Sequence, residues 1–125
     1  MRITDIIMVS DNFEGITKNY IVNFNDLFKI VEGGFDNSNE LAYFSMKLGK
    51  TIENPDVWAS TYLSANKVVY ARYCTSEQEL KQFFDGFYDL PEEYRFDRDK
   101  CSKECLEFLK EKGINLKSKR KGKVR

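Results

Sequence analysis

Leu80, Phe83, Phe84 and Phe87 fall at spacing i, i+3, i+4, i+7, directly after Thr75-Ser76-Glu77-Gln78-Glu79. Thr75 with Gln78, or Ser76 with Glu79, makes a capping box, and the four apolar positions then form one stripe of a helix. A helix with such a stripe has to bury it against another element. The rest of the chain offers strands for that purpose. Ile3 to Ser10 is rich in β-branched residues, and Lys18 to Phe24 alternates Tyr20, Val22 and Phe24 with Asn19 and Asn23. Residues 11–16 between them carry turn chemistry, so the two strands are expected to pair as a hairpin.

Lys67 to Cys74 reads as a further strand, and Val57 to Leu63 is rich in strand formers. A hairpin of 57–63 against 67–74 is the preferred reading; a helix over 55–64 followed by one strand is the alternative. Three more helices are expected. One runs over Asp26–Glu32, capped by Asn25 and stopped by Gly33-Gly34. A second runs over Glu40–Leu48, with Leu41, Phe44 and Leu48 on one face and Gly49 past its end. The last runs over Lys100–Lys112, capped by Asp97 or Asp99 and closed by Gly113. Strands joined by short turns imply antiparallel pairing. The expected fold is therefore α+β: a small antiparallel sheet of about four strands in two hairpins, covered on one face by three to four helices.

Charge divides the 125 residues unevenly. Residues 117–125 hold six basic residues and no acidic one, which leaves 14 basic against 20 acidic in residues 1–116, a net of −6. We expect a single domain over 1–116 and a basic C-terminal tail over 117–125. Three cysteines, Cys74, Cys101 and Cys105, are too few for a disulfide framework and point to a reducing, cytoplasmic setting. Asp5 and Asp11 interrupt any apolar signal segment, and the uncharged stretch Val57–Asn66 is ten residues long, against the roughly 20 of a membrane span.

The chain has no histidine, so the commonest general base and metal ligand is missing. Cys101 and Cys105 stand one helical turn apart, but a zinc site takes about four ligands; the two thiols read as small core residues. Glu92, Glu93, Asp97 and Asp99 crowd a short acidic stretch that lacks EF-hand spacing. Gly49-Lys50-Thr51 copies the end of a phosphate-binding loop, but Phe44 stands where its first glycine belongs. Pro55-Asp56 followed by Glu79-Leu80-Lys81 resembles the PD…(D/E)xK arrangement of some metal-dependent nucleases over five residues; that family expects the second element on a strand, and here it opens a helix. No cofactor, metal site or catalytic residue is called for.

Two binding features stand out. The tail cations Lys117, Lys119, Arg120, Lys121, Lys123 and Arg125 could neutralise nucleic-acid phosphates, contact a partner, or dock on the acidic body of the same chain or of a second copy. Tyr70 and Arg72 share a strand face, with Tyr62 on the neighbouring strand, as a face on which single-stranded bases could stack; the plainer reading packs Tyr70 under a helix while the Arg72 head reaches solvent. A two-residue turn at Ala65-Asn66 would put Thr61 and Ala59 beside them. Ten Phe and seven Tyr exceed what one small core hides, so aromatic surface is expected. The expected function is a non-enzymatic binding protein acting on another macromolecule, of inhibitor, immunity or anti-defence type. A nucleic-acid-binding accessory protein using the tail is the alternative.

Overall fold

A computed structural model describes residues 1–30, 38–54, 56–64, 67–88 and 96–114. Four strands, β1 (Ile7–Phe13), β2 (Ile16–Val22), β3 (Ala59–Ser64) and β4 (Lys67–Tyr73), form one antiparallel sheet in the order β2-β1-β4-β3. Four helices accompany it: α1 (Phe24–Ile30), α2 (Ser38–Lys50), α3 (Glu77–Tyr88) and α4 (Lys103–Glu111). The α+β class and the two hairpins are as expected, and residues 59–64 are strand rather than helix.

The first hairpin is tighter than its sequence suggests. Asp11 and Asn12 belong to β1 rather than to a turn, because each finds a partner for its side chain. Asn12 Nδ2 donates to Thr17 Oγ1 at 2.7 Å, and Asp11 is bonded across both neighbouring strands. Only Glu14 and Gly15 form the loop, with φ +54° and +85°. Two consecutive positive φ values are those of a type I′ turn, whose twist matches that of the flanking strands. At the other end, Ile3–Asp5 closes into a 3₁₀ turn instead of opening β1. The Arg2 amide donates to Asp5 Oδ2 at 2.8 Å, and that bond holds the Asp5 carboxyl below its usual range.

Helix ends follow the capping rules, with shifted bounds. Asn23, not Asn25, caps α1: its Oδ1 accepts the Asp26 amide at 2.8 Å. The same residue donates its backbone amide to Ser102 Oγ and its Nδ2 to Glu104 Oε1, which ties the start of α4 to the start of α1. The last helix is split. Asp97 accepts the Asp99 amide and caps a 3₁₀ turn, Arg98–Lys100, before Ser102 leads into α4. Gly113, at φ +75°, ends α4 in a Schellman motif, with Gly113 N–H on Lys110 O at 3.1 Å and Ile114 N–H on Leu109 O at 2.9 Å. α2 runs through Gly49 to Lys50. The glycines at 33–34 lie outside the described residues.

The sheet is buried on both faces rather than one. Ile7, Met8 and Val9 are consecutive and all fully buried, as are Tyr20, Ile21 and Val22, and alternate residues of a strand point to opposite faces. A one-sided layer would have left Met8 and Ile21 wet. α3 covers the Met8–Ile21 side. Its Glu79 pairs with Arg72, and its Phe83 and Phe84 pack edge-on against Phe96, with ring centres 6.3 and 4.8 Å apart. Leu80, Phe83 and Phe84 are buried as the stripe requires, while the Phe87 side chain lies outside the described residues. The Phe96–Ser102 segment lies along β2: Asp97 N–H reaches Asn19 O, and Ser102 N–H reaches Ile21 O. Phe44 and Leu48 of α2, Cys105 and Leu109 of α4, and Cys101 in the extended link just before α4 complete the core.

Candidate binding site

The register places Ile7, Val9, Asp11 and Phe13 of β1 on one face with Val22, Tyr20, Lys18 and Ile16 of β2 and with Tyr73, Ala71, Val69 and Lys67 of β4. That face is apolar toward Ile7. Toward the Glu14-Gly15 turn it becomes charged. Asp11 sits in the middle of the central strand, and its Oδ2 accepts the Tyr20 hydroxyl at 2.8 Å while Oδ1 accepts Lys67 Nζ at 2.5 Å. Lys100 Nζ, from the 3₁₀ turn, lies 3.9 Å from Asp11 Oδ2 and 5.3 Å over the Tyr20 ring. Lys67 Nζ also lies 5.3 Å over the Phe13 ring. Buried charges persist only when paired and hydrogen-bonded, and here one carboxylate organises two ammonium groups and a phenol.

Above this cluster lies a cavity of about 420 Å³, lined by Asp11, Phe13, Ile16, Lys18, Asp97 and Lys100. Phe13 and Ile16 are a directly opposed pair beside the turn, and both are exposed. No position of this cluster except Asp97 stands out in the sequence as a site. The signal that marks it is the pair of charges, Asp11 and Lys67, within two strongly apolar strands.

A second exposed surface follows α2. Tyr43, Met46, Ile52 and Val57 are 59%, 53%, 60% and 56% exposed. Tyr43 and Met46, three apart, are neighbours on the helix surface. Lys47 holds this face in place: its ammonium lies 5.0 Å over the Tyr43 ring and donates to Ser60 O at 2.6 Å. Lys50, Glu53 and Asp56, interspersed with these residues in the sequence, are exposed as well.

The expected aromatic and basic sheet face is rearranged. Tyr70 is 40% exposed, but Arg72 is only 7% exposed, the reverse of both sequence readings for the arginine. Its guanidinium is bonded to Glu79 and stacked 5.5 Å over Trp58, and its buried Nε finds no acceptor among the described residues. A bulge between Tyr62 and Ser64 shifts β3 by one residue, so Ser60 and not Thr61 stands opposite Tyr70, and Ala59 and Thr61 face the other way. The Tyr62 side chain, Glu92, Glu93 and all six tail cations, Lys117, Lys119, Arg120, Lys121, Lys123 and Arg125, lie outside the described residues.

The remaining described motif residues do not line the cavity beside Asp11. Glu79 and Lys81 are in α3, and Asp56 is exposed in the turn before β3. Among the described residues no group of three Cys, Asp or Glu side chains could hold a metal ion. Thr51, at the end of the loop-like Gly-Lys-Thr, is buried; its hydroxyl donates to Leu48 O and accepts the Tyr73 amide. The three cysteines are free and buried; burial pushes the Cys74 thiol up to about 11 and those of Cys101 and Cys105 to about 12, so none is a thiolate at neutral pH. No helix among the described residues is long and apolar enough to cross a membrane. Comparison of the chain with protein-family models, curated proteins and solved structures finds no match.

Proposed function

We propose that the protein acts without catalysis, by binding another protein through the outer face of α2 and the turn that leads into β3. The observation that carries this is the exposure of Tyr43, Met46, Ile52 and Val57, each more than half open to solvent within fifteen consecutive positions. Single exposed apolar side chains are ordinary on a soluble protein, but a group of large ones interspersed with charged residues has the composition of an interface, in which aromatic residues and Met are enriched. Lys47 fixes the Tyr43 ring before any partner arrives, which lowers the ordering cost of association. The net −6 of residues 1–116 favours a partner with a basic contact surface. An inhibitor or regulator of a basic protein is the finer reading.

The test compares the wild-type chain, immobilised, with a Tyr43→Ser/Met46→Ser variant of unchanged melting temperature, each exposed to extract of the source cell. The expected result is one protein retained in stoichiometric amount by the wild type, lost from the variant, and forming a defined complex when purified. Identical retention by both forms would overturn the assignment to α2. Labelled DNA and RNA are measured in parallel by fluorescence anisotropy. Salt-sensitive binding that disappears on deletion of residues 117–125 would replace the protein-binding reading with the nucleic-acid one.

A further inference from the structure

We propose that the cavity at the turn end of the first hairpin binds an organic carboxylate, with its anionic group at Lys18 and its apolar body against Phe13 and Ile16. The volume of about 420 Å³ is that of a small-molecule site, and the lining divides into an apolar side and a charged side, as such sites do.

The sign of the ligand follows from how the charges are committed. Asp11 already has Lys67 at 2.5 Å, Lys100 at 3.9 Å and the Tyr20 hydroxyl at 2.8 Å, so it has no call for a third cation. Asp97 accepts the Asp99 amide through Oδ1. Lys18 stands directly opposite Asp11 in the register and on the same face, half-buried in the cavity wall, yet makes no ion pair within 4.0 Å among the described residues. This cavity-wall lysine is the group a ligand anion would meet. One lysine without an ion pair, in a cavity also lined by two carboxylates, suits a single negative charge; a phosphate dianion would be repelled more strongly by Asp11 and Asp97 and would lack the several donors such groups use. Phe13 and Ile16 then account for the body of the ligand. They are opposed across the strands at the rim and exposed, and Lys67 holds the Phe13 ring from one side.

The same chemistry could come from a free acid or from the C-terminal carboxylate of a peptide. The test is a titration of the ¹⁵N-labelled full chain, followed by amide chemical shifts. The probes are phenylacetate, phenylacetamide, inorganic phosphate, and a short peptide ending in Phe with its terminus free or amidated. Saturable shifts at Phe13, Ile16, Lys18 and Lys100 are expected with phenylacetate or the free-terminus peptide, at least about tenfold tighter than with their neutral amides, a factor that one charge-assisted contact supplies. The tighter of the two carboxylates identifies the source. Lys18→Gln should weaken binding about tenfold without moving the melting temperature, and Ile16→Ser, at an exposed rim position, should weaken it independently. Absence of saturable shifts with any carboxylate, equal binding of the amides, tighter binding of phosphate, or indifference to both substitutions would each overturn the proposal.

Discussion

The carboxylate of Asp11 and the ammonium of Lys67, 56 positions apart in the chain, meet at 2.5 Å with side chains only 2% and 1% exposed. Removing one member of such a pair leaves the other charged and without water. Asp11→Asn should therefore destabilise the fold by about 3–5 kcal/mol. Asp11→Leu combined with Lys67→Met should cost clearly less than the two single changes added together, because the buried Lys67 ammonium is removed together with its carboxylate. Urea midpoints of the four proteins measure the coupling, and simple additivity would show that the pair contributes nothing as a pair.

Glu14 occupies the left-handed region at φ +54°, where a residue with a Cβ is strained and Asn is tolerated best. Glu14→Asn should stabilise the protein by about 0.5–1 kcal/mol, whereas Gly15→Ala, at φ +85°, should destabilise it by about 1 kcal/mol. Thermal unfolding monitored by circular dichroism distinguishes the two signs.

α3 is held at its start by two different contacts. Ser76 Oγ accepts the Glu79 amide at 3.1 Å, while the Glu79 carboxylate accepts from Thr75 and pairs with the largely buried Arg72. Ser76→Ala should cost about 1 kcal/mol, the usual value of a cap. Glu79→Gln should cost more, about 1.5–3 kcal/mol, because it also strips the counter-charge from Arg72. Equal losses in chemical denaturation would mean that the arginine pair adds nothing to the cap.

The buried thiols set an alkaline limit. Burial raises Cys74 to about 11, and Cys101 and Cys105 to about 12, from an ordinary 9.0. Each thiol therefore holds its proton more tightly in the folded chain. The stabilisation is whole below pH 9 and is lost as pH rises through 9 toward 12, where the unfolded chain ionises first. The melting temperature should fall over that window, and less steeply in a Cys101→Ala variant. Alkylation at pH 8 should be slow in the native protein and fast in urea.

Local signals carried most of the fold. The stripe Leu80, Phe83, Phe84 and the Ser76 cap are read from neighbours within one turn, although the Glu79 side chain reaches back to the Thr75 amide rather than to that of Ser76, and both hairpins are read from adjacent runs; these need no knowledge of distant partners. What stayed hidden depended on such partners. Asp11 and Asn12 look like turn residues until Lys67, Tyr20 and Thr17 supply their bonds. Asn23 outranks Asn25 as a cap because Ser102 and Glu104 fix it from nearly 80 positions away. Arg72 is expected at a surface until Glu79 and Trp58 enclose it, and the bulge at Tyr62–Ser64 turned β3 over. The cavity was illegible for the same reason: its lining comes from β1, β2 and the Arg98–Lys100 region, which no local pattern connects.

The strand order β2-β1-β4-β3 puts the junction between the two hairpins at the centre of the sheet. Each hairpin closes over a short stretch, but β1 and β4 have to find each other across more than fifty residues, against the entropy of that loop. The consequence is kinetic. If the two local pieces form first and their encounter limits the rate, substitutions that weaken either hairpin should slow folding, while those that weaken only β1–β4 contacts completed after the encounter should speed unfolding. Each piece, made alone, carries a bare inner edge whose best complement is the other, which makes this chain a candidate for reconstitution from two fragments.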